Sequence, residues 1–141
     1  MTLNFFSSLS IKFKNQFTDI LEIGTYNGKN AFLLSLLFPN ANIITIDLPD
    51  NDQIFSSSYN RDTENRKNIF IKKRNDLLNS SKNINMIQKS SVNLLNFKKK
   101  FDLIWVDGAH YSPIVCFDIL NSINLIKNDG FILCDDISLI N

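Results

Sequence analysis

The sequence predicts an α/β protein, a three-layer sandwich of helices around a mostly parallel sheet of about five strands. Three observations carry this: five short apolar runs spread along the chain, segments of helical periodicity between them, and a polar or glycine residue at the carboxyl end of every run. Alternating strand and helix builds a parallel sheet through right-handed crossovers, with helices on both faces. Open sheets of this kind bind ligands outside the carboxyl ends of the strands, where the strand order reverses.

The opening Met1-Thr2-Leu3-Asn4-Phe5-Phe6 is apolar, with no positive stretch before it and no small-residue cleavage site after it, so it reads as a capping helix. The first strand, Ile20-Leu21-Glu22-Ile23, stops at Gly24, and Pro39-Asn40 closes the helix expected over 30–38. Asn42-Ile43-Ile44-Thr45-Ile46 forms the second strand and stops at Asp47. Residues 50–81 are polar, with Ile69, Phe70, Ile71, Leu77 and Leu78 as apolar anchors, which predicts a loop and then an amphipathic helix from roughly 61 to 79. The third strand, Ile84-Asn85-Met86-Ile87, leads to Lys89-Ser90-Ser91 and a short turn over 92–97. Phe101-Asp102-Leu103-Ile104-Trp105-Val106 is the fourth and stops at Asp107-Gly108. Ser112-Pro113 reads as a cap and first-position proline for a helix over 113–127, and Asn128-Asp129-Gly130 as a turn. The fifth strand, Phe131-Ile132-Leu133-Cys134, stops at Asp135-Asp136; Trp105 and the phenylalanines fall in core patterns.

At 141 residues there is room for one domain, and 44% hydrophobic with 21% charged residues suits a folded chain. A formal charge of +1 gives no electrostatic drive toward nucleic acid or an anionic membrane. No apolar run approaches the ~18 residues of a membrane span. A cytoplasmic protein with neither nucleic acid nor membrane as partner is expected. Cys116 and Cys134 lie in apolar runs and read as buried reduced thiols, and Lys72-Lys73-Arg74 and Lys98-Lys99-Lys100 as solvated faces.

The strongest chemical signal is Leu21-Glu22-Ile23-Gly24-Thr25-Tyr26-Asn27-Gly28-Lys29-Asn30, a strand running through a glycine turn into a helix. Glycine lets the backbone approach a ligand, and a helix start offers unpaired N–H groups. Asp47 follows Gly28 by about 20 residues, the offset at which a carboxylate takes ribose hydroxyls in dinucleotide folds. A nucleotide-like group fits that corner of a Rossmann-like sheet. Only Gly24 and Gly28 are present, so the middle glycine that serves a pyrophosphate is missing, and Glu22 precedes the first glycine. Both departures oppose NAD or FAD, and with them a nucleotide-dependent oxidoreductase.

On these residues the chain resembles the class I S-adenosylmethionine-dependent methyltransferases, over residues 19–136. Their first motif reads acid-x-glycine-x-x-x-glycine. The resemblance implies that Glu22, Gly24, Tyr26 and Gly28 surround the methionine moiety, with Thr25, Asn27 and Leu48 also in the cofactor-binding set and Asp47 on the ribose. Ser90 or Ser91 matches the position near the adenine, where family members often carry aspartate. Phe101 to His110 is similar to the fourth motif of the small-molecule O-methyltransferase branch, where Asp107 would face the transferred methyl group and His110 could act as general base. Some members bind a divalent metal there, and Asp107, Asp135 and Asp136 could form an all-oxygen site for Mg²⁺ or another divalent cation, although strand-end carboxylates also serve as helix caps and loop anchors and many relatives work without metal. Tyr59, Arg61 and Arg66 are candidates, by position, to touch the methyl acceptor.

Family members usually continue with a further helix and an antiparallel hairpin. The resemblance therefore implies a single domain over 1–141 without those last strands, either truncated, with an open sheet edge that a partner or second copy covers, or a naturally minimal version. The expected function is methyl transfer from S-adenosylmethionine to an oxygen of a small molecule. A cofactor-binding module without catalysis is the alternative, ahead of the oxidoreductase.

Overall fold

The computed structural model describes residues 2–59 and 61–135. In chain order these form α1 (Thr2–Phe13), β1 (Asp19–Ile23), α2 (Lys29–Leu37), β2 (Asn42–Asp47), α3 (Gln53–Ser57), α4 (Glu64–Asn79), β3 (Ile84–Gln88), a 3₁₀ helix (Ser91–Asn96), β4 (Phe101–Val106), α5 (Ile114–Leu125) and β5 (Ile126–Cys134). The sheet runs β3-β2-β1-β4-β5, and all four neighbouring pairs are parallel. The order reverses between β1 and β4, which makes their carboxyl ends the expected ligand crevice.

Alternation along the central strands divides the core in two. Ile20, Ile43, Leu103 and Trp105 face Phe6 and Leu9 of α1 and Leu34 of α2. Leu21, Ile23, Ile44, Ile46, Ile104 and Val106 face Leu94 and Leu125 on the other side. The expected capping helix is α1, whose fully buried Phe6 meets Trp105 edge-on at 5.0 Å. Such a pair adds about 0.5–1.5 kcal/mol beyond the area it buries.

Several sequence expectations change. Besides α4, the polar stretch holds the short helix α3, capped by Asp52, whose buried Phe55 is a further apolar anchor. Pro113 occupies the cap position of α5 itself, without a side-chain cap, so the helix begins one residue later than the Ser-Pro signal suggests. The turn at 128–130 lies within β5 as a register shift: Phe101 pairs Ile126 and Leu103 pairs Phe131, so residues 127–130 loop out opposite Asp102. Arg74 is not on a solvated face. It is buried and makes a bidentate pair with Asp50 at 2.8 and 2.9 Å, fastening α4 to the loop after β2. Lys99 pairs with Asp19, and the Lys100 ammonium donates to the Asn124 carbonyl.

Cys116 is exposed rather than buried, and Cys134 half-buried; both are free. The reason lies in α5, which is amphipathic in the reverse sense. Asp118, Asn121 and Ser122 are buried, whereas Phe117, Leu120 and Ile123 are 38%, 56% and 57% exposed. Among the described residues no helix is long and apolar enough to cross a membrane.

Candidate active site

Where the strand order reverses, the chain itself fills the corner. Gly24 has φ +100°, and a Cβ there would lie 2.1 Å from the Asp107 carbonyl oxygen. Its N–H donates to the Ile46 carbonyl at 2.8 Å, so three strand ends meet at one residue. Gly28 caps α2 in the left-handed region, and its missing Cβ leaves room for the Leu78 side chain of α4. Both glycines serve packing of the chain against itself, beyond any approach of a ligand.

Behind the turn, register sets Glu22 opposite Thr45 on one face of the sheet. Thr45 donates to Glu22 Oε2 at 2.5 Å, and its hydroxyl also meets that of Thr25 at 2.6 Å. Glu22 is fully buried, and its Oε1 has no hydrogen-bond partner. Burial pushes its pKa up to about 8; the Thr45 bond opposes this, and the nearby Asp107 and Asp47 charges add to it. The acid is therefore neutral at pH 7.

Asp47 ends β2 and ties the turn to that strand. Its Oδ2 accepts from the Tyr26 N–H and its Oδ1 from the Leu48 N–H, each at 2.8 Å. Burial raises its pKa, opposed by these two amides and then by the Arg61 and Arg74 charges. Two oxygens that have each accepted one amide keep lone pairs for further donors.

These residues line a cavity of about 340 Å³, within the range of small-molecule sites. Gly24, Tyr26, Asp47 and Leu48 form one side, Ser90 and Ser91 the end after β3, and Asp107 to Tyr111 the opposite wall. Ile54, Phe55, Ser58, Tyr59 and Arg61 close it from the segment after β2. Asp107 accepts from Asn30 Nδ2 at 3.3 Å, and His110 Nε2 stands 4.0 Å from Asp107 Oδ1. Arg61 is buried, its guanidinium 3.9 Å from the Phe55 ring centre and 4.7 Å from that of Phe70.

Of the residues singled out in the sequence, Gly24, Tyr26, Asp47, Leu48, Ser90, Ser91, Asp107, His110, Tyr59 and Arg61 are brought to this cavity. Glu22 and Thr25 lie behind it in the hydroxyl chain, and Asn27 Oδ1 accepts from the Lys29 N–H at the start of α2. Arg66 points away and pairs with Asp62 on the surface of α4. Asp135 follows β5 and donates its N–H to the Val106 carbonyl, and Asp136 lies outside the described residues. Among the described residues no three His, Cys, Asp or Glu side chains gather closely enough to hold a metal ion. Sequence reasoning missed Asp118, Ile114, Phe55 and Lys89 in the lining. Asp118 was hidden because the apolar positions of α5 point away from the core.

A protein-family model described as a methyltransferase domain matches residues 21–137. The chain belongs to that methyltransferase-domain family. Solved structures with the same fold include a Staphylococcus aureus protein described as a caffeoyl-CoA O-methyltransferase, with TM-score 0.66 and 21% identity. That match covers 95% of this chain and 56% of the other. The Podospora anserina methyltransferase PaMTH1, bound to S-adenosylhomocysteine, has TM-score 0.63 and 23% identity, covering 93% and 51%. TomG, an O-methyltransferase of Streptomyces achromogenes involved in tomaymycin synthesis, in complex with S-adenosylmethionine, has TM-score 0.64 and 16% identity, covering 93% and 54%. No curated protein matches. The methyltransferase domain described here thus spans about half the length of these neighbours.

Proposed function

We propose that this methyltransferase domain binds S-adenosylmethionine and passes its methyl group to an oxygen of a small molecule. The observation that carries the reading is the Asp47 carboxylate, held by two backbone amides on one wall of a cavity whose opposite wall carries Asp107 and His110. A cis-diol such as a ribose donates two hydroxyls to such a carboxylate, and Ser90 and Ser91 offer hydrogen-bonding groups for a base beyond it. Gly24 and Tyr26 would take the amino-acid end. Cavity size and donor set both fit the group.

The sulfonium, when bound, supplies an already activated methyl group. The work left to the chain is positioning and proton handling. The His110 imidazole takes the proton from the acceptor hydroxyl as the oxygen–methyl bond forms and the sulfur–methyl bond breaks. Asp107, with Oδ1 4.0 Å from His110 Nε2, stabilises the imidazolium by its charge. Tyr59, packed on Tyr26, and Arg61, beside Asp47, close the cavity from the segment after β2 and are the residues assigned to touch the acceptor.

Asp107 and Asp135 alone do not complete the six oxygen ligands that Mg²⁺ takes. The divalent-cation reading for Asp107, Asp135 and Asp136 is tested by adding Mg²⁺ or a chelator to the methylation assay. A cytoplasmic location fits the two free cysteines. The domain extent over 1–141 and a homodimer closing the sheet edge belong to the same proposal, β3 and β5 being the two edges.

The test is transfer of labelled methyl from S-adenosylmethionine to a panel of phenols, carboxylates and alcohols. Transfer that falls at least about 100-fold in His110→Ala supports the reading, a loss typical of a removed general base. Tight cofactor binding with no transfer to any acceptor would favour a binding module.

A further inference from the structure

Helix α5 turns its polar side chains inward, and Asp118 is sealed among them. Its side chain is fully buried, with the Ser91 hydroxyl and the Ala109 N–H beside the carboxylate but short of full hydrogen-bond geometry. Oδ2 stands 3.0 Å from where a Cβ on Gly108 would lie, so the carboxylate packs on the backbone of the loop between Asp107 and His110. Burial raises its pKa, and the Ser91 hydroxyl and the Ala109 N–H are near enough to oppose that rise. One turn further on, Asn121 Nδ2 donates to the Ser91 carbonyl at 2.8 Å. One face of α5 therefore reaches the loops that follow both β4 and β3.

A carboxyl so placed costs stability unless nearby donors close on it. A helix that merely covered the sheet would do better with an apolar residue, as α5 does at its buried Leu125. Phe117, Leu120 and Ile123 meanwhile face outward, so the helix sacrifices burial of its apolar face to bring Asp118 and Asn121 to these loops. Gly108 makes the approach feasible, since any larger residue would press on Oδ2 and on Ile23.

We propose that Asp118 is a positioning residue: its carboxylate, set against the Ala109 amide, fixes the 108–110 loop and so holds the His110 imidazole at the cavity beside Asp107. This rests on the reading of His110 as the general base. Asp118 is among the residues that line the cavity, and the role assigned to it is exerted through the loop.

His110 is the single histidine of the chain, so its ring gives one unambiguous set of NMR signals. In Asp118→Asn, which keeps the size but turns one acceptor oxygen into a donor, those signals are expected to shift. Ala109 amide exchange should quicken by about tenfold or more while the melting curve stays cooperative. An unmoved ring and an unchanged amide in the folded variant would overturn the proposal. The wild-type protein gives an independent reading that needs no variant. Its Ala109 amide should exchange at least about 100-fold more slowly than in an unstructured chain, and exchange at the unstructured rate would equally refute the anchor. Should His110→Ala methylate as fast as wild type while the ring and amide measurements come out as expected, the general-base reading falls and the loop anchor stands.

Discussion

Gly24 and Asp107 meet backbone to backbone: a Cβ added to Gly24 would come within 2.1 Å of the Asp107 carbonyl oxygen. The glycine turn after β1 and the candidate catalytic aspartate after β4 are therefore one packed unit. Gly24→Ala forces either strand end to move and adds the strain of φ +100°. A loss of at least about 3 kcal/mol, or failure to fold, is expected in urea denaturation. Gly28→Ala meets side chains, Leu78 and then Arg74, rather than backbone, and should cost about 1–2 kcal/mol with the strain of its positive φ. Equal costs at the two sites would contradict this distinction.

Glu22 makes stability fall with pH. Its folded pKa of about 8 lies above the ordinary value of 4.5, so the folded protein keeps a proton that the unfolded chain releases. The contribution is complete below the unfolded pKa and is lost as pH rises toward 8, at up to about 1.4 kcal/mol per unit. Glu22→Gln, measured by denaturant midpoints across that range, should flatten the dependence and be the more stable protein at the alkaline end. A wild-type curve that is already flat there would show that Glu22 ionises in the folded state.

Arg74 and Asp50 hold α4 and the loop after β2 together, so Arg74→Met should loosen that side of the cavity. It leaves Asp50 partly buried beside an apolar side chain and should cost about 3 kcal/mol in denaturant titration, less if water reaches the carboxylate. A change below about 0.5 kcal/mol would mean the pair holds nothing.

Much of this was legible in the sequence. The five strands were readable because each apolar run ends in a polar or glycine residue, and parallel pairing follows from the helices between them. The glycine turn and Asp47 stood out for the same reason: their chemistry is local to strand ends. Long-range packing was not legible. Arg74 sits in a basic triplet that looks solvated, and only the fold brings Asp50 to it. Asp118 lies on a helix whose periodicity points the apolar side chains outward, so the pattern misdirects. The 127–130 bulge looks like an ordinary turn until β4 is paired beside it.

Calorimetric titration of S-adenosylhomocysteine into wild type and Asp47→Asn tests the central claim most directly. Saturable binding by wild type, weakened at least about tenfold in a variant that melts cooperatively, is the expected result, since one hydrogen-bonded carboxylate is worth about 1.5–3 kcal/mol. Absence of binding by folded wild-type protein, or equal affinity in both proteins, would contradict a cofactor site built on Asp47.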